Sequence, residues 1–223
     1  MGYEPPLNRM RDDIEEACRI SGLDMSLLCI LNPKMEIIDL TAGETISTHR
    51  ESVEKYQKYY AFDSAKIPGG KLDVAISGSF PGDRFFAHSC WPIANLDHFV
   101  RKGGTIVLAT PMPGGLAHYN YAKDYMPPTT EAIRRLYEDV FYGKQALWHA
   151  CLWMPIIEVL AKKECIVVTE PENLKDFEAV KIPAVESFDE ALEMIYARYG
   201  NDVKIGNFPY GKWVVPLEMP KKE

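Results

Sequence analysis

The sequence predicts an α/β fold, a three-layer α/β/α domain with a mostly parallel sheet. Three apolar runs support this prediction, because a strand that is covered on both faces has no polar alternation. They are KLDVAISG, TIVLATP and ECIVVTE, at residues 71–78, 105–111 and 164–170. Segments with helical spacing lie between them. A strand, a helix and a parallel strand within about thirty residues form a crossover unit, which is nearly always right-handed.

The N-terminal part predicts a helix, a hairpin and a second helix. MRDDIEEACRISG has acids in its first turn and ends at Gly22, which suits a helix and its dipole. SLLCILN and EIIDLTAG lie on either side of Asn32-Pro33-Lys34 and predict a hairpin or two neighbouring strands. STHRESVEKYQKYYAF has apolar residues at helical spacing, with Ser47 or Thr48 as the predicted cap.

The remaining elements follow the same signals. HSCWPIANLDHFVRKGG predicts a helix that ends at Lys102-Gly103-Gly104, and TTEAIRRLYEDVFYG predicts a capped helix. KQALWHACLWMPIIEVLAKK predicts a buried helix that is kinked or begins at Pro155. ESFDEALEMIYARYGND predicts a helix opened by Ser187, and KWVVP is a candidate last strand. We expect one α/β domain over residues 1–223, with a helix-and-hairpin subregion at residues 8–45 as an option.

Composition excludes several classes of protein. The 223 residues carry a net charge of -7 without a clustered basic face, which disfavours nucleic acid and anionic membrane as partners. The start, MGYEPPLNRMRDD, lacks the apolar core of a secretory signal, so a cytoplasmic location is expected. Five scattered cysteines without a CxxC pair indicate reduced thiols rather than a zinc or redox centre.

Two loops are candidates for ligand contact, because ligands of parallel sheets lie beyond the carboxyl ends of the strands. They are GSFPGDRFFAH and PMPGGLAHYNY, at residues 78–88 and 111–121. The sequence has no dinucleotide fingerprint, phosphate loop, nucleophile elbow or HExxH motif. These absences remove support for several familiar classes of enzyme.

Each candidate residue also has a purely structural interpretation. His88 and Cys90 form an H-x-C pair that suits a metal or a thiolate, or is a helix-start histidine beside a packed cysteine. The polar run LAHYNYAKDY either binds a ligand or forms a loop that packs on the protein surface. The aromatic residues of WHACLWM either contact a ligand or fill the core.

Several stretches, in the same order, resemble the C-terminal half of the nickel-pincer-nucleotide lactate racemase family. RDDIEEACRISGLD resembles the family's first helix of this half, and LLCILNPKMEIIDLTAG resembles the strands that follow. THRESVEKY resembles the next helix, with His49 and Arg50 in place. VAISGSFPGDRFFAHSCWPIANLDHFVRKGGTIVLAT and GGLAH resemble a strand, loop, helix, strand and second loop. The resemblance extends from about residue 8 to residue 216.

This resemblance implies racemisation or epimerisation of a 2-hydroxy acid or related alcohol with a nickel pincer nucleotide. In the family, the cofactor-tethering lysine, the nickel-coordinating histidine and the catalytic histidines belong to the N-terminal half, and they have no counterpart in these 223 residues. The chain would therefore close a cleft and contact substrate and cofactor, but would bind no cofactor and be inactive without an N-terminal partner domain or subunit. The alternatives are a non-catalytic binding module for a small molecule or nucleotide, and an independent enzyme that uses His88, Cys90 or His118.

The family's Tyr, Gln and Lys contacts correspond to Ala87, His88 and Trp91, and all three positions depart from the pattern. Trp91 offers stacking and an indole N–H but no charge, so the resemblance implies either a larger, more aromatic substrate or lost catalysis. No metal ligand is predicted. The predicted contacts to substrate or cofactor are Asp83, Arg84, His88, Trp91, His118 and Trp148.

Overall fold

The computed structural model describes residues 8–116 and 122–217. The chain packs as two compact units. We call Met1–Asp63 with Val215–Glu223 the hairpin unit, and Ser64–Val214 the sheet unit. Sequence alone predicts one domain with a subregion at residues 8–45. The hairpin unit contains that subregion together with a further helix and two short strands.

The described residues of the hairpin unit form two helices and two small sheets. Helix α1 (Arg9–Ser21) ends at Gly22 in the left-handed conformation, and strands β1 (Ser26–Leu31) and β2 (Ile37–Gly43) form the antiparallel hairpin that the sequence predicts. Helix α2 (Thr45–Tyr60) is confirmed, but the predicted caps Ser47 and Thr48 are wrong. Glu44 caps this helix, because its carboxylate accepts hydrogen bonds from the backbone N–H groups of the first turn. Strand β3 (Ala61–Phe62) pairs in parallel with β9 (Val215–Pro216).

The sheet unit contains a five-stranded parallel sheet, and the predicted three-layer α/β class is confirmed. Its strands are β4 (Leu72–Gly78), β5 (Val100–Ala109), β6 (Glu164–Val168), β7 (Ala184–Val185) and β8 (Ile205–Phe208). They lie in the order β7-β6-β5-β4-β8. The three apolar runs form β4, β5 and β6, as predicted.

Among the described residues, six α-helices accompany these strands. They are α3 (Phe86–Ser89), α4 (Trp91–Leu96), α5 (Thr130–Phe141), α6 (Leu147–Leu160), α7 (Leu174–Ala179) and α8 (Phe188–Tyr199). Helix α6 runs through Pro155 rather than beginning there. Across residues 8–116 and 122–217, no helix has the length and apolar character needed to cross a bilayer.

The predicted end of the helix before β5 is wrong. That helix ends at Leu96, and the segment RKGG belongs to β5. The register between β4 and β5 shifts between Leu72 and Val74, so the pairing accommodates the extra residues. A side chain at Gly104 would begin only 2.6 Å from the carbonyl oxygen of Asp73, so this glycine permits close approach of the two strands rather than ending a helix.

The strand order predicts a ligand-binding crevice at one position of the sheet. Strands β5, β6 and β7 extend from one side of β4, whereas β8 adds to the other side. Right-handed crossovers therefore place α4 and α8 on opposite faces. Helix α8 packs against the face that includes Val74 and Val107. In such sheets, ligands bind outside the carboxyl ends of the two strands where the order reverses, here β4 and β8.

Candidate functional site

Buried hydroxyl groups line the carboxyl edge of the sheet. Strands β4, β5 and β6 end in register, because Gly78 pairs with Ala109 and Ala109 pairs with Val168. The residue that follows each strand carries a hydroxyl group and is buried: Ser79, Thr110 and Thr169. Three neighbouring strands thus present polar groups at the edge where ligands of parallel sheets bind.

Two of these hydroxyl groups have no partner among the described residues. The side chain of Thr169 accepts a hydrogen bond from Asn173 Nδ2 at 3.1 Å. In contrast, Ser79 Oγ and Thr110 Oγ1 form no hydrogen bond within the described part of the chain. A buried hydroxyl without a partner costs about 1–3 kcal/mol, so bound ligand or water is the expected partner.

The two loops that the sequence singles out are joined by backbone hydrogen bonds. Met112 N–H donates to the carbonyl of Asp83 at 3.0 Å, and Gly114 N–H donates to the carbonyl of Arg84 at 2.9 Å. A side chain at Gly114 would begin 2.4 Å from the ring of Phe85, so only glycine permits this approach. Backbone hydrogen bonds therefore join the loop after β4 and the loop after β5 into one structure.

Predicted contact residues lie on this structure. His88 packs edge-on against Phe85, with ring centroids 5.6 Å apart, and the Arg84 guanidinium lies 5.5 Å from the centroid of the same ring. The side chains of Arg84 and His88 are exposed, and Asp83 is half-buried. The structure thus brings Arg84 and His88 together around Phe85, at the solvent side of the loop.

A cation from the last loop lies against the β4 loop. Gly82 N–H donates to the carbonyl of Ser79 at 2.8 Å, which closes a tight turn. A side-chain carbon added at Gly82 would lie 2.7 Å from Lys212 Nζ, so the ammonium group sits directly over this turn. Lys212 forms no ion pair with any described carboxylate. It therefore offers an uncompensated positive charge at the position where the strand order reverses.

Asn95 holds the loop that carries Lys212. Its side-chain amide donates to the carbonyls of Gly211 at 3.1 Å and Lys212 at 3.0 Å. The N–H of Gly211 in turn donates to Ser77 Oγ at 3.1 Å. Trp91 is half-buried one helical turn before Asn95, and therefore on the same side of α4. This loop is fixed to both β4 and α4.

This arrangement can bind a small anion. An ammonium group without a counterion forms strong charge-assisted hydrogen bonds with carboxylate or phosphate oxygens. The turn that it covers begins at Ser79, whose buried hydroxyl also lacks a partner in the described chain. Sequence reasoning did not identify Lys212, Asn95 or Ser79. Lys212 belongs to a segment interpreted as a strand, and only its position after β8 marks it as a site residue.

The other predicted residues are placed as follows. Trp148 is 61% exposed at the start of α6, whereas Trp153 is completely buried. Trp153 therefore fills the core, and Trp148 does not. His118 lies outside the described residues. For Trp148, a contact to substrate or cofactor stays a prediction.

Cys90 does not have the surroundings of a nucleophile. It is completely buried and its thiol donates to the carbonyl of Ala87 at 3.7 Å, whereas His88 is exposed. Burial also raises the pKa of the neighbouring Cys165 thiol. Thiols in such surroundings stay protonated and unreactive. Within the described ranges, no group of three or more His, Cys, Asp or Glu side chains is arranged to hold a metal ion.

Comparison with known proteins finds lactate racemases. The chain is 22% identical over 213 residues to the lactate racemase of Lactiplantibacillus plantarum, covering 93% of this chain and 48% of that protein. It is 21% identical over 216 residues to the lactate racemase of Thermoanaerobacterium thermosaccharolyticum, covering 95% and 49%. No protein-family model matches the chain.

The comparison with solved structures also finds a lactate racemase. The structure of the lactate racemase apoprotein from Thermoanaerobacterium thermosaccharolyticum matches with a TM-score of 0.83 at 19% identity, over 95% of this chain and 50% of that one. The chain thus spans about half the length of the curated relatives it matches. The predicted resemblance to the C-terminal half of lactate racemases is confirmed.

Proposed function

We propose that this chain is the substrate-contacting, cleft-closing domain of a racemase or epimerase of 2-hydroxy acids, and that it works with an N-terminal domain or subunit. The extent of the similarity carries this proposal. It covers at least 93% of this chain but only 48–50% of the lactate racemases. The other half of the enzyme would come from the partner.

The carboxyl edge of the sheet would bind the substrate anion. Lys212 would pair with the carboxylate of a 2-hydroxy acid above the turn from Ser79 to Gly82. Hydrogen bonds to charged groups contribute about 1.5–3 kcal/mol, enough to orient a small acid. His88 and Trp91 would contact the rest of the substrate, and the indole suits a side chain larger than the methyl group of lactate.

The cofactor would belong to the partner. The described residues contain no cluster of side chains suited to a metal ion. The sequence also has no counterpart of the tethering lysine and the histidines that the resemblance assigns to the N-terminal half. The partner would therefore hold a nickel pincer nucleotide, and Trp148 would at most contact that cofactor from this chain.

A reconstitution experiment tests the proposal. The neighbouring coding sequence is read first for a lactate racemase-like N-terminal half that carries the lysine and histidines. This companion is then purified and mixed with the chain, and interconversion of the enantiomers of lactate and of phenyllactate is followed by chiral chromatography. We expect turnover only when both proteins are present. A companion without those residues, or a complex inactive on both acids, would contradict the proposal.

The second candidate is a non-catalytic binding module for a small molecule or nucleotide. The crevice at the reversal of strand order and the uncompensated charge of Lys212 favour it. A ligand at about 100 times its dissociation constant adds about 2.7 kcal/mol of stability, which a thermal-shift measurement detects. Stabilisation by a nucleotide or hydroxy acid, without turnover in the presence of the companion, would select this candidate.

A further inference from the structure

The hairpin unit buries few apolar side chains. Among its described residues, Ile30 is the only apolar side chain in the buried class, and the other buried residues are Glu15, Thr41, Thr45 and Thr48. Its remaining large apolar residues are mostly exposed: Met10, Ile14, Ile20, Leu23, Met25, Leu27, Met35, Ile37, Ile38 and Leu40. A unit of about seventy residues has only marginal stability even with a normal core.

Four exposed residues of the hairpin share one face. In the register of β1 and β2, Leu27 pairs with Ala42 and Cys29 pairs with Leu40, and all four side chains are exposed. We call these four residues the outer face. Because side chains alternate along a strand, the four residues point to the same side of the hairpin.

The opposite face of the hairpin packs against α2 and mixes apolar with polar residues, because Leu28 pairs with Thr41 and Ile30 pairs with Asp39. It includes buried Thr41, whose hydroxyl accepts a hydrogen bond from Lys55 Nζ at 3.0 Å. An antiparallel sheet with one solvated face normally places its apolar residues inward and its polar residues outward. Here the outer face is entirely apolar or thiol-bearing and carries no charge. This distribution is typical of a surface that another protein surface covers.

We infer that the outer face is where the N-terminal half of the enzyme docks, through an apolar surface of its own. The inference rests on the proposed function. The matched lactate racemases are about twice as long as this chain, so about half of each lies outside the match. A partner of that size provides the cover that the described residues of the hairpin unit do not. An uncharged face selects an apolar partner surface, because a buried unpaired charge is costly.

The test adds charge to the outer face. The double variant Leu27→Glu/Leu40→Glu is compared with wild type for binding to the companion N-terminal half, by calorimetry. Both side chains are exposed, so the double variant should keep its circular dichroism spectrum and melting temperature. We expect at least about tenfold weaker binding, because two unpaired charges would be buried against an apolar surface. Alkylation of Cys29 should also slow in the wild-type complex.

Phe141→Glu is the matched control. Phe141 is 82% exposed on α5 of the sheet unit, so this variant adds charge to an exposed apolar residue that is not part of the outer face. It should bind the companion as wild type does. If one polypeptide carries both halves, the same substitutions are made in it, and the double variant should lower its melting temperature more than Phe141→Glu does.

The outcomes separate this inference from the proposed function. Equal binding by wild type and the double variant would show that the outer face is not the docking surface, and would leave the proposed function intact. Self-association of the chain through this face, abolished in the double variant while companion binding persists, would assign the face to a second copy and overturn the inference. Failure of the wild-type chain to bind the companion would overturn the proposed function, and this inference with it.

Discussion

The sheet of the sheet unit and the hairpin of the hairpin unit both consist of apolar strands, but they differ in cover. Val74 and Leu108 in the sheet are completely buried, whereas Leu27 and Leu40 on the hairpin are 62% and 49% exposed. Helices from the same unit cover the sheet, with α8 on one face and α4 on the other. The hydrophobicity of a strand therefore indicates that a face will be covered, but not whether the cover comes from the same chain.

The largest expected effect tests the covered side of this comparison. Trp153→Ala removes a completely buried ring that packs near Phe86, and should lower the free energy of unfolding by about 3–5 kcal/mol. Trp148→Ala, on the same helix but exposed, should cost less than about 1 kcal/mol. Urea denaturation followed by circular dichroism measures both. Similar losses for the two variants would contradict the assignment of the core to Trp153.

The next effect concerns binding at the carboxyl edge of the covered sheet. Lys212→Met should weaken binding of phenyllactate by about 10- to 100-fold in the complete complex, because a charge-assisted hydrogen bond is lost. Lys102→Met is the control, since this exposed lysine lies near the amino end of β5, at the opposite edge. Calorimetry measures both affinities. Equal affinity for the two variants would show that Lys212 does not contribute to ligand binding.

A smaller effect concerns what holds the hairpin unit together. Glu15 is buried and forms ion pairs with Arg11, Arg19 and Arg50, of which Arg50 is on α2. Glu15→Gln should lower the free energy of unfolding by about 1–2 kcal/mol, because charge-assisted hydrogen bonds between α1 and α2 weaken. Glu16→Gln, on the exposed side of α1, should change it by less than about 0.5 kcal/mol. Thermal melts that rank the two variants in reverse would argue against this charged core.

The smallest expected effect concerns the exposed outer face of the hairpin. Leu40→Thr should change the stability of the isolated chain by less than about 0.5 kcal/mol, because the side chain is exposed and threonine suits a strand. The same substitution should weaken the complex with the companion. A loss of more than about 1.5 kcal/mol in the isolated chain would mean that the outer face is already covered.

Much of the fold follows from local patterns. The runs that form β4, β5 and β6 are continuous and apolar, and the helices α1, α5 and α8 carry recognisable caps at Asn8, Thr129 and Ser187. Strand β8 was not predicted. It contains only four residues, IGNF, and glycine and asparagine are depleted in strands. Its place beside β4 depends on long-range pairing, which a local pattern does not encode.

The candidate site shows the same difference between local patterns, which the sequence encodes visibly, and long-range contacts, which it does not. The sequence identified the loops after β4 and β5, because both follow recognisable strands. It did not identify Lys212, because that residue becomes part of the site only through β8 and the contact with Gly82. The sequence does not distinguish Ser79 for a different reason: serine is common in turns, and only the structure shows that its oxygen lacks a partner among the described residues.

The two hydrogen bonds of Asn95 have a consequence for the order of folding. They join α4 to residues 116 and 117 positions later in the chain. Contacts so distant in sequence form late, because closing a long loop costs entropy before the contact repays it. A chain in which β4 to β7 have paired but β8 has not joined them would therefore still lack the candidate anion site. Ligand binding would then report that the sheet has acquired its last strand.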